Sequence, residues 1–338
     1  MRRSQKVNNF THSAPLSNQS LMSNPSAPSP EMKAVICTRY GPPEVLHIRD
    51  IPRPKVQSDE VLIKIMATAV NSGDVRVRTL AVEGPMKLVM RLALGLTKPR
   101  KSILGTVFAG RIEAVGSKVT TMTPGDRVYG MTGFKFGTYA EYIALKEKST
   151  IAPMPEGATF EEAASLIFGG QTAIYFLEKA KLPKKESPEV LIYGATGSVG
   201  TAALQIARHY GAKVTAVCSS QGESLVRGLG IGDIILYDKE DFTKTTRRFD
   251  CVFDAVGKTS KKQCAHLLKA GGVYKSVDGM EIATETRGQL QLLKELWECD
   301  KLQAVIDRSY PLGQIVEAHR YVEAGRKKGN VILRLNEK

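Results

Sequence analysis

The segment Val190-Leu-Ile-Tyr-Gly-Ala-Thr-Gly-Ser-Val-Gly200 carries the strongest chemical signal in the chain. An apolar strand runs into a glycine-rich turn, and helical spacing follows from Val199 to Tyr210. Aligned on that helix, the fingerprint reads Ala195-x-Gly197-x-x-Gly200, with Gly194 in front. Gly197 lets the backbone approach a pyrophosphate, Gly200 lets the helix pack on the strand, and the first helical amides face the phosphates. The spacing predicts a dinucleotide site rather than a plain structural turn.

NADH is usually held by an Asp or Glu at the end of the next strand, about 20 residues on. That strand ends here as Val217-Cys218-Ser219-Ser220, without a carboxylate. Two hydroxyls can donate to a 2′-phosphate that an acid would repel, so NADPH is expected over NADH. The basic partner is not evident locally. Gln221-Gly222 fill the obvious place, and Arg227 stands partway along the following helix.

The five cysteines, Cys37, Cys218, Cys251, Cys264 and Cys299, contain no C-x-x-C pair and no zinc-ribbon spacing. They read as thiols in a reducing compartment. Cys264-Ala-His266 has no second ligand pair in view, so packing on a helix is the better account of it.

The elements that must position these residues fall into two patterns. A chain of 338 residues is long enough for about two domains. From 32 to about 155, short strands such as Val61–Ile65, Phe108–Val115 and Arg127–Tyr129 alternate with Gly, Pro and Asp turns, which predicts a mostly β, small irregular barrel. From about 156 to 300, helical stretches at Phe160–Lys179, Gly200–Tyr210 and Arg287–Cys299 alternate with five buried strands. That alternation predicts βαβ units and a doubly wound parallel sheet, an α/β fold. The strands at Val305–Arg308 and Gly329–Arg334 return to the β pattern, so 301–338 should complete the first domain.

The net charge is +14, from 48 basic and 34 acidic side chains. Such an excess fits a phosphate-bearing ligand, RNA or an anionic membrane surface. Residues 1–31 are basic, rich in Ser, Asn and Pro, and poor in apolar surface; they read as a disordered tail. Organelle targeting is the rival reading for that tail, and a cytoplasmic location the expected one. The longest apolar run, Met86–Leu96, is broken by Lys87 and Arg91, so no membrane span is expected. Pro85–Lys101, basic and Met/Leu-rich, reads as a lid over a cleft, an interfacial segment or a solvated face.

From Met32 to Leu335 the chain resembles a zinc-independent medium-chain dehydrogenase/reductase of the NADPH:quinone oxidoreductase group that includes zeta-crystallin. The matching stretches are Tyr40-Gly-Pro-Pro-Glu-Val-Leu46, Val70-Asn-Ser-Gly-Asp74, Gly105-x4-Gly110-x-Ile-Glu-Ala-Val-Gly116, Pro124-Gly-Asp-Arg-Val128, Gly137-Thr-Tyr-Ala-Glu-Tyr142, Gly170-Gln-Thr-Ala173 and Gly194–Gly200. The resemblance implies a GroES-like β-barrel domain and a Rossmann domain with the cofactor between them. Asn71 and Asp74 would border the nicotinamide and Thr172 would sit beside its ring, although Asn71 and Asp74 also suit an Asx-type turn. Ala195, Thr196, Gly197, Ser198 and Val199 would cradle the pyrophosphate, and Ser219, Ser220 and Tyr237 would approach the 2′-phosphate. Val256, Gly257 and Val277 would line the cofactor, and Lys328, Gly329 and Asn330 would close on it.

The resemblance also bears on metal, acceptor and oligomer. Zinc-dependent relatives supply ligands from a Cys near the Asn71 position and from a Gly-His-Glu, where this chain has Gly105-Thr106-Val107; no zinc is expected. Without a metal to polarise an alcohol or ketone, a quinone or α,β-unsaturated carbonyl is the expected acceptor. Tyr40, Tyr139 and water are the candidate proton donors. An RNA-binding protein with little catalysis is one alternative. An enoyl-thioester reductase is another, but Val75–Leu80 lacks the tyrosine of that group. The outer sixth strand that builds the homodimer in relatives has no counterpart, which weakens the expectation of a homodimer.

Overall fold

The computed structural model describes residues 30–80, 91, 92, 94–279 and 281–335. The tail expected over 1–31 lies outside these apart from its last two residues, and the Pro85–Lys101 segment lies partly outside them.

In the first half, β1 (Glu31–Cys37) and β2 (Leu46–Pro52) form a hairpin-like antiparallel pair. They precede the long β3 (Glu60–Val70), then α1 (Ser72–Thr79), β4 (Val107–Val115), β5 (Arg127–Met131), β6 (Tyr142–Lys146) and β7 (Ile151–Pro153). Next come α2 (Phe160–Lys179), β8 (Glu189–Tyr193), α3 (Ser198–His209), β9 (Lys213–Cys218), α4 (Glu223–Gly228), β10 (Ile234–Leu236), β11 (Phe249–Asp254), α5 (Lys261–Cys264) and β12 (Leu268–Ser276). The chain ends with α6 (Arg287–Glu298), β13 (Ile306–Pro311), α7 (Ile315–Glu323) and β14 (Asn330–Arg334).

Two sheets organise these elements. The first runs β13-β14-β3-β4-β5-β7, with β6 also on β3. The second runs β10-β9-β8-β11-β12, and every pairing in it is parallel. Strand order reverses between β8 and β11, the switch point where such sheets open a ligand crevice. The loops bearing Gly194, Ser219, Tyr237, Val256 and Val277 all leave the carboxyl edge of this sheet.

Helix α2 lies between the sheets and serves both. A capping box of Thr159 and Glu162 starts it, satisfying two amides that the first turn leaves without partners. Its Ala163, Ala164 and Ile167 enter the core shared with β3, β4 and β5. Its Leu166, Ala173, Ile174, Phe176 and Leu177 enter the core beneath the parallel sheet. Burying each of the larger side chains stabilises the structure by about 1.5–3 kcal/mol, so α2 couples the two halves.

The predicted helix over Phe160–Lys179 matches α2 to the residue, and the five-strand parallel sheet is the one expected. The first half is mostly β, as expected, and two helices that the sequence reading did not single out, α1 and α7, lie in it and at the chain end. α1 follows a strand directly and carries Gly73 in its first turn, so its local signal is weak. α7 is a nine-residue helix in a stretch read only for its flanking strands. No helix among the described residues is long and apolar enough to cross a membrane.

Candidate active site

The glycine turn behaves as its spacing requires. A Cβ on Gly200 would stand 2.2 Å from the Gly194 carbonyl oxygen and 2.8 Å from Ala195, so only glycine lets α3 sit this close to the end of β8. At Gly197 the nearest atom to such a Cβ is 3.7 Å away, and the space beside it is open. Helices α1, α2 and α6 begin with capping boxes, whereas α3 begins on Gly197 with no side-chain cap. Its first-turn amides therefore keep their donors, at the positive end of the helix dipole, for an anionic ligand.

The C-terminal segment brings the two halves of the site together. β14 pairs antiparallel with β3, with Val331 opposite Val70, which sets Asn330 beside Asn71. On its other side Gly329 forms a parallel bridge to Gly197 and donates its amide to the Thr196 carbonyl at 2.7 Å. The Ser198 hydroxyl and the Asn330 side-chain oxygen lie 2.6 Å apart. Lys328 reaches away from this contact and donates from Nζ to the Gln221 carbonyl. Lys327 is enclosed, donates to the Gly329 carbonyl at 2.7 Å and is lowered by desolvation to a pKa of about 8.

At the second strand end, β10 pairs with β9 so that Leu236 lies opposite Cys218, which brings Tyr237 beside Ser219. Tyr237 is 48% exposed, a large ring left open to solvent. Ser220 buries its side-chain oxygen. Its amide donates at 2.8 Å to Asp238 Oδ1, a carboxylate that stands below its usual pKa because Ser220 hydrogen-bonds it. Asp238 was not singled out from the sequence, and neither was the approach of Lys328. Both depend on contacts between chain segments far apart in sequence.

Beyond β11, Asp254 is buried and gathers the turn that follows it. It accepts from the amides of Val256 at 3.1 Å, Gly257 at 2.8 Å and Thr259 at 2.7 Å. Val256 faces the Gly194 turn, and the amide of Val277 bonds the Asp254 carbonyl. Thr172 is half-buried on α2. The loops expected to line a dinucleotide thus converge on one carboxyl edge, and the open face at Gly197 and the uncapped α3 fit such a ligand.

On the barrel side, Asn71 and Asp74 form the capping box of α1: the Asn71 side chain accepts from the Asp74 amide, and Asp74 Oδ2 accepts from the Asn71 amide, both at 3.0 Å. Asn71 Nδ2 donates to Thr106 Oγ1 at 2.9 Å, and its second N–H has no partner among the described residues. Asp74 has no exposed surface, and its carboxylate holds the Asn71 amide. Tyr139 donates to Asp74 Oδ2 at 2.9 Å and is itself fully buried, which leaves it poorly placed to protonate a substrate. Burial raises Asp74 to a pKa of about 7 and Tyr139 well above its ordinary range. The Tyr40 hydroxyl donates to the Gly95 carbonyl at 2.9 Å.

Asn71 and Thr106 occupy the positions where the zinc-dependent pattern has its Cys and His. They meet as a neutral amide and a hydroxyl, with no thiolate or imidazole, and this donor set does not fit zinc. Among the described residues no group of three or more His, Cys, Asp or Glu is arranged to hold a metal.

The alcohol dehydrogenase GroES-like domain model matches residues 57–156, and two zinc-binding dehydrogenase models match 198–296 and 279–333. A 2-methylene-furan-3-one reductase of Solanum lycopersicum is 35% identical over 91% of this chain and 80% of its own. An NADPH-dependent alkenal/one oxidoreductase of Arabidopsis thaliana, described as chloroplastic, is 31% identical over 90% and 79%. The structure of a quinone oxidoreductase from Coxiella burnetii superposes with a TM-score of 0.76 at 27% identity, over 91% of this chain and all of that one. A barrel sheet joined to a parallel dinucleotide sheet defines a nicotinamide-dependent oxidoreductase that transfers a hydride. The chain belongs to the medium-chain dehydrogenase/reductase family.

Proposed function

We propose that this protein is a zinc-independent, NADPH-dependent reductase of quinones or α,β-unsaturated carbonyl compounds. The observation that carries the reading is the Asn71–Thr106 hydrogen bond, a neutral pair at the position of a catalytic metal. An acceptor that is already electrophilic does not need a metal to polarise it. The names of the tomato and Arabidopsis relatives point the same way.

In this reading the bound cofactor supplies the hydride. The α3 amides, Ala195, Thr196, Ser198 and Val199 hold its pyrophosphate, and Val256, Gly257, Val277 and Thr172 fix the nicotinamide end. Lys328, Gly329 and Asn330 cover it. Asn71, oriented by Asp74 and Thr106, presents its remaining N–H toward the ring and the acceptor. Ser219, Ser220, Tyr237 and Lys328 take the 2′-phosphate, and Lys328 supplies the cation that the local sequence lacks. We read residues 32–155 with 301–338 as the catalytic domain and 156–300 as the nucleotide-binding domain. Four buried free thiols, Cys37, Cys218, Cys251 and Cys264, fit a reducing compartment, the cytoplasm in our reading. β12 ends the parallel sheet, so a homodimer built through a further outer strand is not part of this proposal.

Transfer from NADPH deuterated at C4 to a simple enone tests it. Deuterium at the β-carbon of the saturated product is expected; no labelled product from any enone, together with no hydroquinone formed from any quinone, would contradict it.

A further inference from the structure

The loop after β12 crosses from the parallel sheet to the barrel, and its contacts fix where it runs. Asp278 pairs with Arg76 of α1 at 3.7 Å. Glu281 accepts from Lys275 Nζ at 2.9 Å, anchoring the loop to its own strand. Arg287, at the start of α6, donates to the carbonyls of Ser149 and Glu147 on the barrel. Between these anchors Glu285 lays its carboxyl group over Gly133: a Cβ built there would meet Oε2 at 3.4 Å and Oε1 at 3.7 Å.

That turn belongs to the candidate site. The Thr132 amide donates to the Thr106 carbonyl at 2.7 Å, and Thr106 holds Asn71. Phe134, in the same turn, leaves 64% of its surface exposed. Glu285 is half-buried, and no other side chain bonds its carboxyl group among the described residues. The charged groups around it are engaged elsewhere or point to solvent: Arg287 is spent on barrel carbonyls, Arg76 on Asp278, Glu281 on Lys275, and Lys135 is exposed.

We infer that Glu285 is the proton donor to the hydride acceptor. The inference rests on the reductase reading above. As the hydride forms a C–H bond at the β-carbon of an enone, the C=C electron pair moves toward the carbonyl and gives an enolate. The Glu285 O–H bond breaks, its proton forms the C–H bond at the α-carbon, and water reprotonates the carboxylate. Tyr139 is enclosed and bound to Asp74, which leaves this role open. Burial raises the Glu285 pKa, which keeps more of the acid form near neutrality.

The test compares wild type, Glu285→Gln and Glu285→Asp as full chains. With an enone, Gln is expected to lower kcat about a hundredfold and to remove the alkaline fall of kcat with pH. NADPH affinity and melting temperature should stay at wild-type values, and Asp should recover part of the rate. In the unliganded chain, 13C NMR should find one carboxyl group, missing from the Gln variant, that titrates above the ordinary glutamate range. Wild-type kcat and pH profile in the Gln variant, or an ordinary titration of that carboxyl group, would overturn the acid role while leaving the reductase reading intact. Enone turnover absent from wild type as well would sink both.

Discussion

Tyr139 donates its hydroxyl to Asp74 Oδ2 at 2.9 Å, and both side chains are fully buried. The contact exists because Gly105 has no side chain: a Cβ there, at φ +84°, would stand 2.4 Å from the Tyr139 ring. Asp74 in turn caps α1 and sets Asn71. Tyr139→Phe removes the donor and leaves a buried carboxylate short of a partner, a loss of about 1–3 kcal/mol. Urea unfolding at neutral pH should read it as a lower midpoint with an unchanged slope.

The same carboxyl group gives stability a pH dependence of known sign. Its folded pKa of about 7 lies above the roughly 3.9 of an unfolded Asp, so the folded state binds this proton more tightly. The stability it contributes is full below the unfolded value and is lost as pH rises through about 7. His319 runs the other way. Burial and Arg78 lower it to about 3, so its contribution is present above the unfolded value of about 6.5 and is lost as pH falls toward 3. Melting curves between pH 4 and 8 should therefore show Asp74→Asn gaining on wild type as pH rises and His319→Gln gaining as pH falls. Parallel curves for all three would contradict this assignment.

Arg78 ties α1 to α7. It is fully buried, donates from Nε to His319 Nδ1 at 3.3 Å and to the Gly41 carbonyl, and pairs with Glu323 at 2.7 Å. Arg78→Met should cost about 3 kcal/mol, because three acceptors lose their donor while Glu323 stays partly hydrated. Differential scanning calorimetry checks it; a change in melting temperature of under one degree would show the network to be dispensable.

Two glycines three positions apart at the start of α3 should fail differently. Gly200→Ala forces a carbon against the Gly194 carbonyl and should unfold or loosen the α3 packing. Gly197→Ala has room to fold, but its methyl group fills the open space beside the turn. Near-native melting with at least tenfold weaker NADPH binding is expected for Gly197→Ala alone, measured by fluorescence titration. Equal affinity in that variant would move the pyrophosphate elsewhere.

If the 2′-phosphate site is as proposed, Lys328 and Asp238 press on cofactor choice in opposite directions. Lys328→Ala should raise the KM for NADPH about tenfold, the effect of losing one charge-assisted hydrogen bond of roughly 1.5 kcal/mol, with NADH nearly unaffected. Asp238→Asn removes a carboxylate that competes for the Ser220 amide and should tighten NADPH. Steady-state kinetics with both cofactors checks the pair, and equal shifts for NADPH and NADH would contradict it.

Local signals were legible where one segment carries its own geometry. The β8–turn–α3 unit, the span of α2 and the five parallel strands all follow from periodicity and glycine spacing over a few residues. The partnership of Lys328 with Gln221 spans 107 positions, and Ser220 meets Asp238 only because β9 and β10 pair in one register; neither leaves a local trace. Asn71 and Asp74 were readable as a pair, yet their spacing suits a helix cap and a cofactor contact equally well. The burial of Asp74, under Tyr139 from the loop before β6, is what the spacing alone does not give. Glu285 carries no motif at all, and its significance comes from the loop that lays it on Gly133.

NADPH oxidation by the full chain, followed at 340 nm with a quinone and enone panel, with and without a chelator and with NADH run beside it, tests the central claim most directly. The account predicts turnover that prefers NADPH and is indifferent to the chelator. Activity abolished by the chelator and restored by zinc, or no oxidation of either cofactor with any acceptor, would contradict it.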